Sequence, residues 1–540
     1  MKKIYGRVLV ACAALALASC TDDFDGMNTN PYTITDGNPA YLLSHVIELT
    51  SNVSCDPYQR GENLYGQFFA HYLSNTSASF GSDRYAYNDG WAYTALWTPF
   101  YTSLKETRYV LNSILPSHPE FSNIAQMMRI VTAWRAVTVT DIYGDIPYSR
   151  AGLGDDGVPF DTQRDVYYAV FAELAEAVAA LRSAPAGQAV PSADQDLLFA
   201  GNVDKWVRFA NSVRLRAAMR LSYADPEKAR AEGEAALAAG VMAGNDDNAA
   251  VRITATGSSS WGHPLYMISQ WDGFVMTDDL YRAFTTQGAV DDPRMPMWFG
   301  ETSAYRAWVE AGGRGTAPAR WGSQPSGMTV AMIGEEARSV YHNSQAWGLQ
   351  AYPGWNSHAN TVAQGPGNSV VTLPLRVMSY AEVCLLRAEA AVRGWSGAGD
   401  ARENYEAGVR ASIAESRQGV APGLYSTADD EAFLASGDMA WDDAADTEAK
   451  VRRIVTQKWV ALYPDGFEGW SEFRRTGYPE LTPVCQSDDA NINPANGEFV
   501  KKIRYPDAER RDNPNATLGS LNNNQGDGMH VRVWWDTRSR

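Results

Sequence analysis

Residues 378–416 read MSYAEVCLLRAEAAVRGWSGAGDARENYEAGVRASIAES. Ser379 stands three residues before Glu382, the spacing of a capping box, in which the two side chains satisfy backbone N–H groups that a helix start leaves free. The run that follows is rich in Ala, Leu and Glu and closes at Gly394, a residue suited to a helix end. A second helix begins at once, with Ala401, Tyr405, Val409 and Ile413 recurring along one side. Two helices joined by a short glycine-containing turn fold back on each other, because each has an apolar stripe to bury.

The same texture extends in both directions. Ile124, Met127, Met128 and Val131 form one helical stripe; Tyr167, Val170, Phe171, Leu174, Val178 and Leu181 form another, opened by Thr162 three residues before Asp165. Trp206, Phe209, Ala210, Val213, Ala217 and Leu221 make a third, and Asp225-Pro226 starts a helix that Gly240 ends. Val451, Ile454, Val455, Trp459 and Leu462 continue the pattern. Paired helices of this length resemble tetratricopeptide-type units, although no strict 34-residue period runs through the chain. The expected fold is therefore all-α: a tetratricopeptide-like helix-pair scaffold carrying a large irregular loop-rich region. Residues 39–243 form an N-terminal helical scaffold, 244–372 a loop-rich aromatic region, 373–483 C-terminal tetratricopeptide-like helices, and 484–540 an irregular C-terminal segment.

The other end of the chain gives an address. Lys2, Lys3 and Arg7 precede an apolar run from Val8 to Ala18, too short to span a bilayer. It ends in Leu17-Ala18-Ser19-Cys20, which resembles the lipobox of bacterial lipoproteins, so residues 1–19 are expected to leave as a signal peptide and Cys20 to carry the lipid. Residues 20–38 are an acidic, polar tether. Losing the signal's three cations takes the formal charge from −17 to −20. So acidic a chain repels nucleic acid, and nucleic-acid binding is not expected. No later apolar run is long enough to cross a membrane, so the lipid anchor is the expected membrane contact. Of the remaining cysteines, Cys384 lies in an apolar helix and reads as a buried thiol, while a Cys55–Cys485 bridge is left open.

Catalytic signatures are missing. Gly152-Leu153-Gly154-Asp155-Asp156-Gly157 matches a dinucleotide loop literally, but no strand precedes it and its aspartates repel phosphate. With Asp161 the same turn is the nearest approach to a structural calcium loop, yet it lacks the alternating ligands of an EF-hand and reads as a solvated turn. The seven histidines are scattered without zinc-ligand spacing, and no nucleophile elbow or phosphate-binding loop occurs. The 63 acidic residues make chance carboxylate neighbours inevitable, and none stands out as a glycosidase pair. Neither an enzymatic activity nor a cofactor is expected.

Between 244 and 372 the chain is rich in Gly, Ser, Pro and Asn, yet carries Trp261, Trp271, Trp298, Trp308, Trp321, Trp347 and Trp355. Large aromatics on glycine-rich loops offer flat apolar faces on which sugar rings stack, and loops on a rigid scaffold are where binding residues collect. Trp261, Trp271, Trp321, Trp347, Tyr352 and Trp355 are the candidate ligand contacts, with about half of the tryptophans expected to pin loops instead. Trp459 and Trp470 read as core packing, with Arg474 and Arg475 capping or pairing acids.

Six stretches in order resemble the SusD/RagB family of outer-membrane nutrient-binding lipoproteins, and within it the SusD-like branch. They are DFDGMNTNP after the anchor, TDIYGDIPYS at 140–149, GNVDKWVRFANSVRLRAAMR at 201–220, MSYAEVCLLRAEAAVRGW at 378–395, QKWVALYPDGFEGWSEFRRTGYP at 457–479 and KKIRYP at 501–506. Asp22 and Asp23 behind Cys20 also resemble the export signal of surface lipoproteins. The resemblance implies a cell-surface position on the outer membrane and a partner, a SusC-like TonB-dependent transporter over which the lipoprotein sits as a hinged lid. It implies capture of oligosaccharide, or in some relatives peptide, without covalent chemistry. The family's sugar-stacking aromatics lie in variable loops, so the six candidates above rest on the loop argument alone.

Overall fold

The computed structural model describes residues 38–538 apart from 76–79, 156, 254–262, 270–273, 286–289, 300, 334–373 and 419–424. The signal segment, Cys20, Asp22, Asp23 and nearly all of the tether lie outside the described residues, as do Trp261, Trp271, Trp347, Tyr352 and Trp355.

Seven of the ten principal helices start at a side-chain cap. The ten are α1 (Ala40–Ser51), α2 (Thr98–Tyr109), α3 (Ser122–Tyr143), α4 (Gln163–Ser183), α5 (Val203–Arg220), α6 (Pro226–Ala239), α7 (Tyr380–Val392), α8 (Ala401–Ser416), α9 (Thr447–Leu462) and α10 (Gly466–Thr476). The side chains of Thr162, Asn202, Asp225, Ser379, Asp400, Asp446 and Asp465 each accept a backbone N–H in the first turn of the following helix. Each such cap contributes about 1 kcal/mol. Helix α6 ends at Gly240, whose φ of 92° suits glycine.

Consecutive helices pack as pairs, α3 with α4, α5 with α6 and α7 with α8, and α9 lies against α7. Gly233 of α6 explains how neighbouring pairs approach: a Cβ there would sit 2.1 Å from the ring of Trp395, which follows α7. The expected helix-pair scaffold is what the chain builds. Its interior holds Trp206, Trp459, Trp470 and Trp535, all essentially inaccessible. Burying one indole is favourable by on the order of 5 kcal/mol. Beyond 484 the described residues hold only short helices, such as Asp507–Asp512, yet Val500, Ile503, Tyr505 and Trp535 are core residues.

Strand content is small. β1 (Leu73–Asn75) pairs antiparallel with β3 (Phe274–Met276), placing Leu73 opposite Met276 and Asn75 opposite Phe274. β2 (Ala249–Val251) pairs antiparallel with β4 (Leu375–Met378), with an irregularity between Ala249 and Ala250. These pairings tie the loop-rich region to the helices on either side of it in sequence. That region is also less irregular than expected, since short helices at Asp278–Thr285 and Ser303–Glu310 lie within it.

Charged residues are buried in the scaffold as well. Arg220 on α5 meets Asp141 at 3.2 Å, Glu472 at 2.9 Å, and Glu468. Arg475 meets Glu389 at 2.7 Å and Glu472 at 2.6 Å, and Lys458 lies 2.8 Å from Glu472. Arg216 grips Glu382 with Nε and Nη2. The network joins α3, α5, α7, α9 and α10. Burial pulls Glu389 upward, but Arg475 and Arg393 outweigh it and hold the carboxyl below its ordinary range.

Candidate functional site

The described part of the loop-rich region divides its tryptophans. Trp298 is buried against Phe284 and Tyr463, at ring distances of 6.1 and 5.1 Å. Trp308 is half-buried, donates Nε1–H to the Arg314 carbonyl at 3.0 Å and packs on Tyr305. Trp321, one of the candidate ligand contacts, is 8% exposed, and the Arg320 guanidinium lies 4.9 Å from its ring centre. Just after it, Gln324 is stitched into the β1–β3 sheet: its backbone N–H donates to the Met276 carbonyl, and its side-chain Nε2 donates to Ser74 Oγ and the Asn75 carbonyl. Trp298, Trp308 and Trp321 thus pin their loops.

A second aromatic group lies outside the loop-rich region. After β1 the chain runs GSDRYAYNDGWAY over 81–93, again large aromatics beside glycines, on a loop that enters a helix at Asp89. Phe80 stacks on Phe274 at 5.9 Å and 15° and meets Trp91 at 6.1 Å; Trp91 in turn lies edge-on to Tyr65 at 6.1 Å. Phe80, Tyr87 and Trp91 are partly exposed, and Tyr93 is 40% exposed. Asn88 caps the short helix beginning at Asp89 by accepting the Trp91 N–H, which sets the position of Trp91.

Beside this loop is a depression of about 450 Å³ lined by Tyr85, Tyr87, Asp488, Asp489, Asn491 and Arg504. The Arg504 guanidinium lies 4.9 Å from the Tyr87 ring centre, and the Tyr87 hydroxyl donates to Asp89 at 2.9 Å. Arg84 joins the two walls by donating to Asp488 at 3.0 Å. Burial pushes the neighbouring Asp83 carboxyl up to about 7, against the opposing pull of Arg84. One aromatic face, two carboxylates, an amide and a guanidinium around an open hollow are complementary to a polyhydroxylated ligand. Such a ligand has apolar C–H faces to stack and hydroxyls to donate and accept.

The other motifs are occupied by structure. Asp161 accepts from the Tyr148 and Ser149 N–H groups and from Ser149 Oγ, while Asp155 pairs with Arg150. Among the described residues no group of three His, Cys, Asp or Glu side chains is arranged to hold a metal. Cys55, Cys384 and Cys485 are free thiols, so the Cys55–Cys485 bridge is not formed, and Cys384 is buried as read. Trp459 and Trp470 are core, and Arg475 pairs acids, also as read. Arg474 takes the capping role: it donates to the carbonyl of Asp141 in the last turn of α3 and to that of Lys501, and lies 3.5 Å from the Trp470 ring centre.

Residues 31–506 match a family of starch-binding proteins that associate with the outer membrane. The chain belongs to the SusD-like family. A solved chitin-binding SusD homologue from Flavobacterium johnsoniae is 26% identical, with a TM-score of 0.72 over 92% of this chain and 99% of its own. A second structure, described as a chitin-binding protein, is 29% identical, with a TM-score of 0.74 over 93% and 100%. A SusD homologue from Parabacteroides distasonis, 24% identical with a TM-score of 0.76 over 93% and 99%, shares the fold. No curated protein matches the chain. Among the described residues of this SusD-like protein no helix is long and apolar enough to cross a membrane.

Proposed function

We propose that this SusD-like protein is a cell-surface lipoprotein that captures oligosaccharides and passes them to a SusC-like TonB-dependent transporter in the outer membrane. The observation that carries the reading is the hollow between Tyr87, Arg504 and the Asp488–Asn491 turn on a chain whose family is starch-binding. The chitin-binding description of two structures at 26% and 29% identity supports a polysaccharide-derived ligand. Tyr87 supplies a ring, Arg504 and Asn491 supply donors, and Asp488 and Asp489 supply acceptors. The work is non-covalent, and an open groove with few contacts suits capture followed by release. Cys20 carries the lipid that keeps the protein at the membrane. An oligosaccharide panel tests the site by calorimetry. Arg504→Ala and Asn491→Ala each lower affinity roughly tenfold, the loss of one or two hydrogen bonds, while the melting temperature stays unchanged. Tight binding of peptides with silence toward every glycan overturns the carbohydrate reading. For the anchor, Cys20→Ser releases the protein from the membrane fraction; acyl labelling of that variant refutes the assignment.

A further inference from the structure

A second cavity, of about 130 Å³, lies inside the helical scaffold, where α1, α3 and the N-terminus of α10 meet the π-type helical segment Gln59–Gln67. Arg135 on α3 lines it. The side chain is 5% exposed, and its Nε and Nη2 have no hydrogen-bond partner among the described residues. Trp134 Nε1 and Ser51 Oγ, from two further lining residues, are likewise buried and unpartnered. Every other scaffold arginine on this wall is committed: Arg216 to Glu382, and Arg376 to Glu415 and the carbonyls of Leu462 and Tyr463.

The carboxyl groups beside Arg135 are engaged as well. Glu62 accepts the Gly466 N–H and so caps α10, and Asp465 accepts the Glu468 N–H. Burial and the adjacent Asp465 hold the Glu62 carboxyl well above its ordinary range, which favours its uncharged form and lowers its repulsion of an anion. The inventory of unmet groups is therefore one of donors: a guanidinium edge, an indole N–H and a hydroxyl. A buried donor without an acceptor is costly, and for a guanidinium the cost is largest. The complement of that set is an acceptor-rich anion. Nε and Nη2 lie side by side in the fork that matches the two oxygens of a carboxylate. A carboxylate of two or three carbons supplies that pair of oxygens with little else to accommodate.

We propose that this cavity binds a small carboxylate anion through Arg135, at a site separate from the glycan hollow. The test uses the full mature chain in carboxylate-free buffer, titrated with sodium acetate at constant ionic strength by calorimetry, with a crystal soaked in the same salt. One saturable acetate per chain is expected, with two-oxygen density against Arg135. Arg135→Gln weakens acetate binding at least tenfold. Trp134→Phe, which keeps the ring and deletes one donor, weakens it severalfold, and decides the matter should Arg135→Gln not fold. No saturable heat in the native chain, density for water alone, or unchanged affinity in Trp134→Phe overturns the proposal. Because glycan binding is read on a different surface, an Arg504→Ala chain binds acetate normally whichever way the glycan assay falls.

Discussion

Arg220 and Arg135 lie in the same helical scaffold, both almost fully buried, and are treated in opposite ways. Arg220 is surrounded by Asp141, Glu468 and Glu472 and lies 5.3 Å from the ring centre of Trp535. Arg135 has no carboxylate within ion-pair distance among the described residues, and two of its nitrogens are unpartnered. A buried charge is tolerated when its partners are built in, and then it joins elements; a buried charge without partners joins nothing and is available to a ligand. The comparison separates what holds this fold from what it can bind.

Removing Arg220 should break the fold. Arg220→Met leaves Asp141, Glu468 and Glu472 without their shared cation, at a cost of about 3–5 kcal/mol in chemical denaturation; a loss below about 1 kcal/mol contradicts the structural role given to the network. Packing supplies a comparable test at Gly466, where a Cβ would lie 2.1 Å from the backbone of Gly66. Gly466→Ala forces α10 away from the Gln59–Gln67 segment and costs about 2–3 kcal/mol, measured the same way. Acid probes the network as a whole. The Glu389 and Glu472 carboxyls are held below their unfolded value of 4.5 by Arg475 against the pull of burial. Their contribution is complete above that value and drains away as pH falls below it. The melting temperature should drop steeply below pH 4.5, and Glu389→Gln should flatten that limb while lowering the plateau. The smallest effect belongs to Arg135: in carboxylate-free buffer, Arg135→Met should change stability by no more than about 1 kcal/mol, because a desolvated, unpaired cation is exchanged for an apolar side chain of similar length. A loss as large as that of Arg220→Met erases the contrast.

Much of the scaffold was legible residue by residue. Thr162, Asp225 and Ser379 cap helices because a short oxygen-bearing side chain at a helix start satisfies an N–H three residues ahead, an interaction that needs no distant partner. The stripes at Ile124–Val131 and Trp206–Leu221 are buried, because apolar residues at helical spacing need only some helix to pack on. Of the candidate aromatics in the loop-rich region, Trp321 is a buried pin, and Trp261, Trp271, Trp347, Tyr352 and Trp355 lie outside the described residues. The loop at 81–93 also sets large aromatics beside glycines, and it meets a wall drawn from 484–504, some 400 residues away.

By itself, the sequence determined the helix starts after Thr162, Asp225 and Ser379, the end at Gly240, the pairing of α7 with α8, the core role of Trp459 and Trp470, and the resemblance to the family, because each is written in spacing or in contiguous motifs. Only the tertiary structure decided which aromatics face solvent, which arginine lacks a carboxylate, and that Tyr87 and Arg504 share a hollow. Those properties depend on which distant segments pack together, and a partner 400 residues away leaves no mark in the local pattern of either segment.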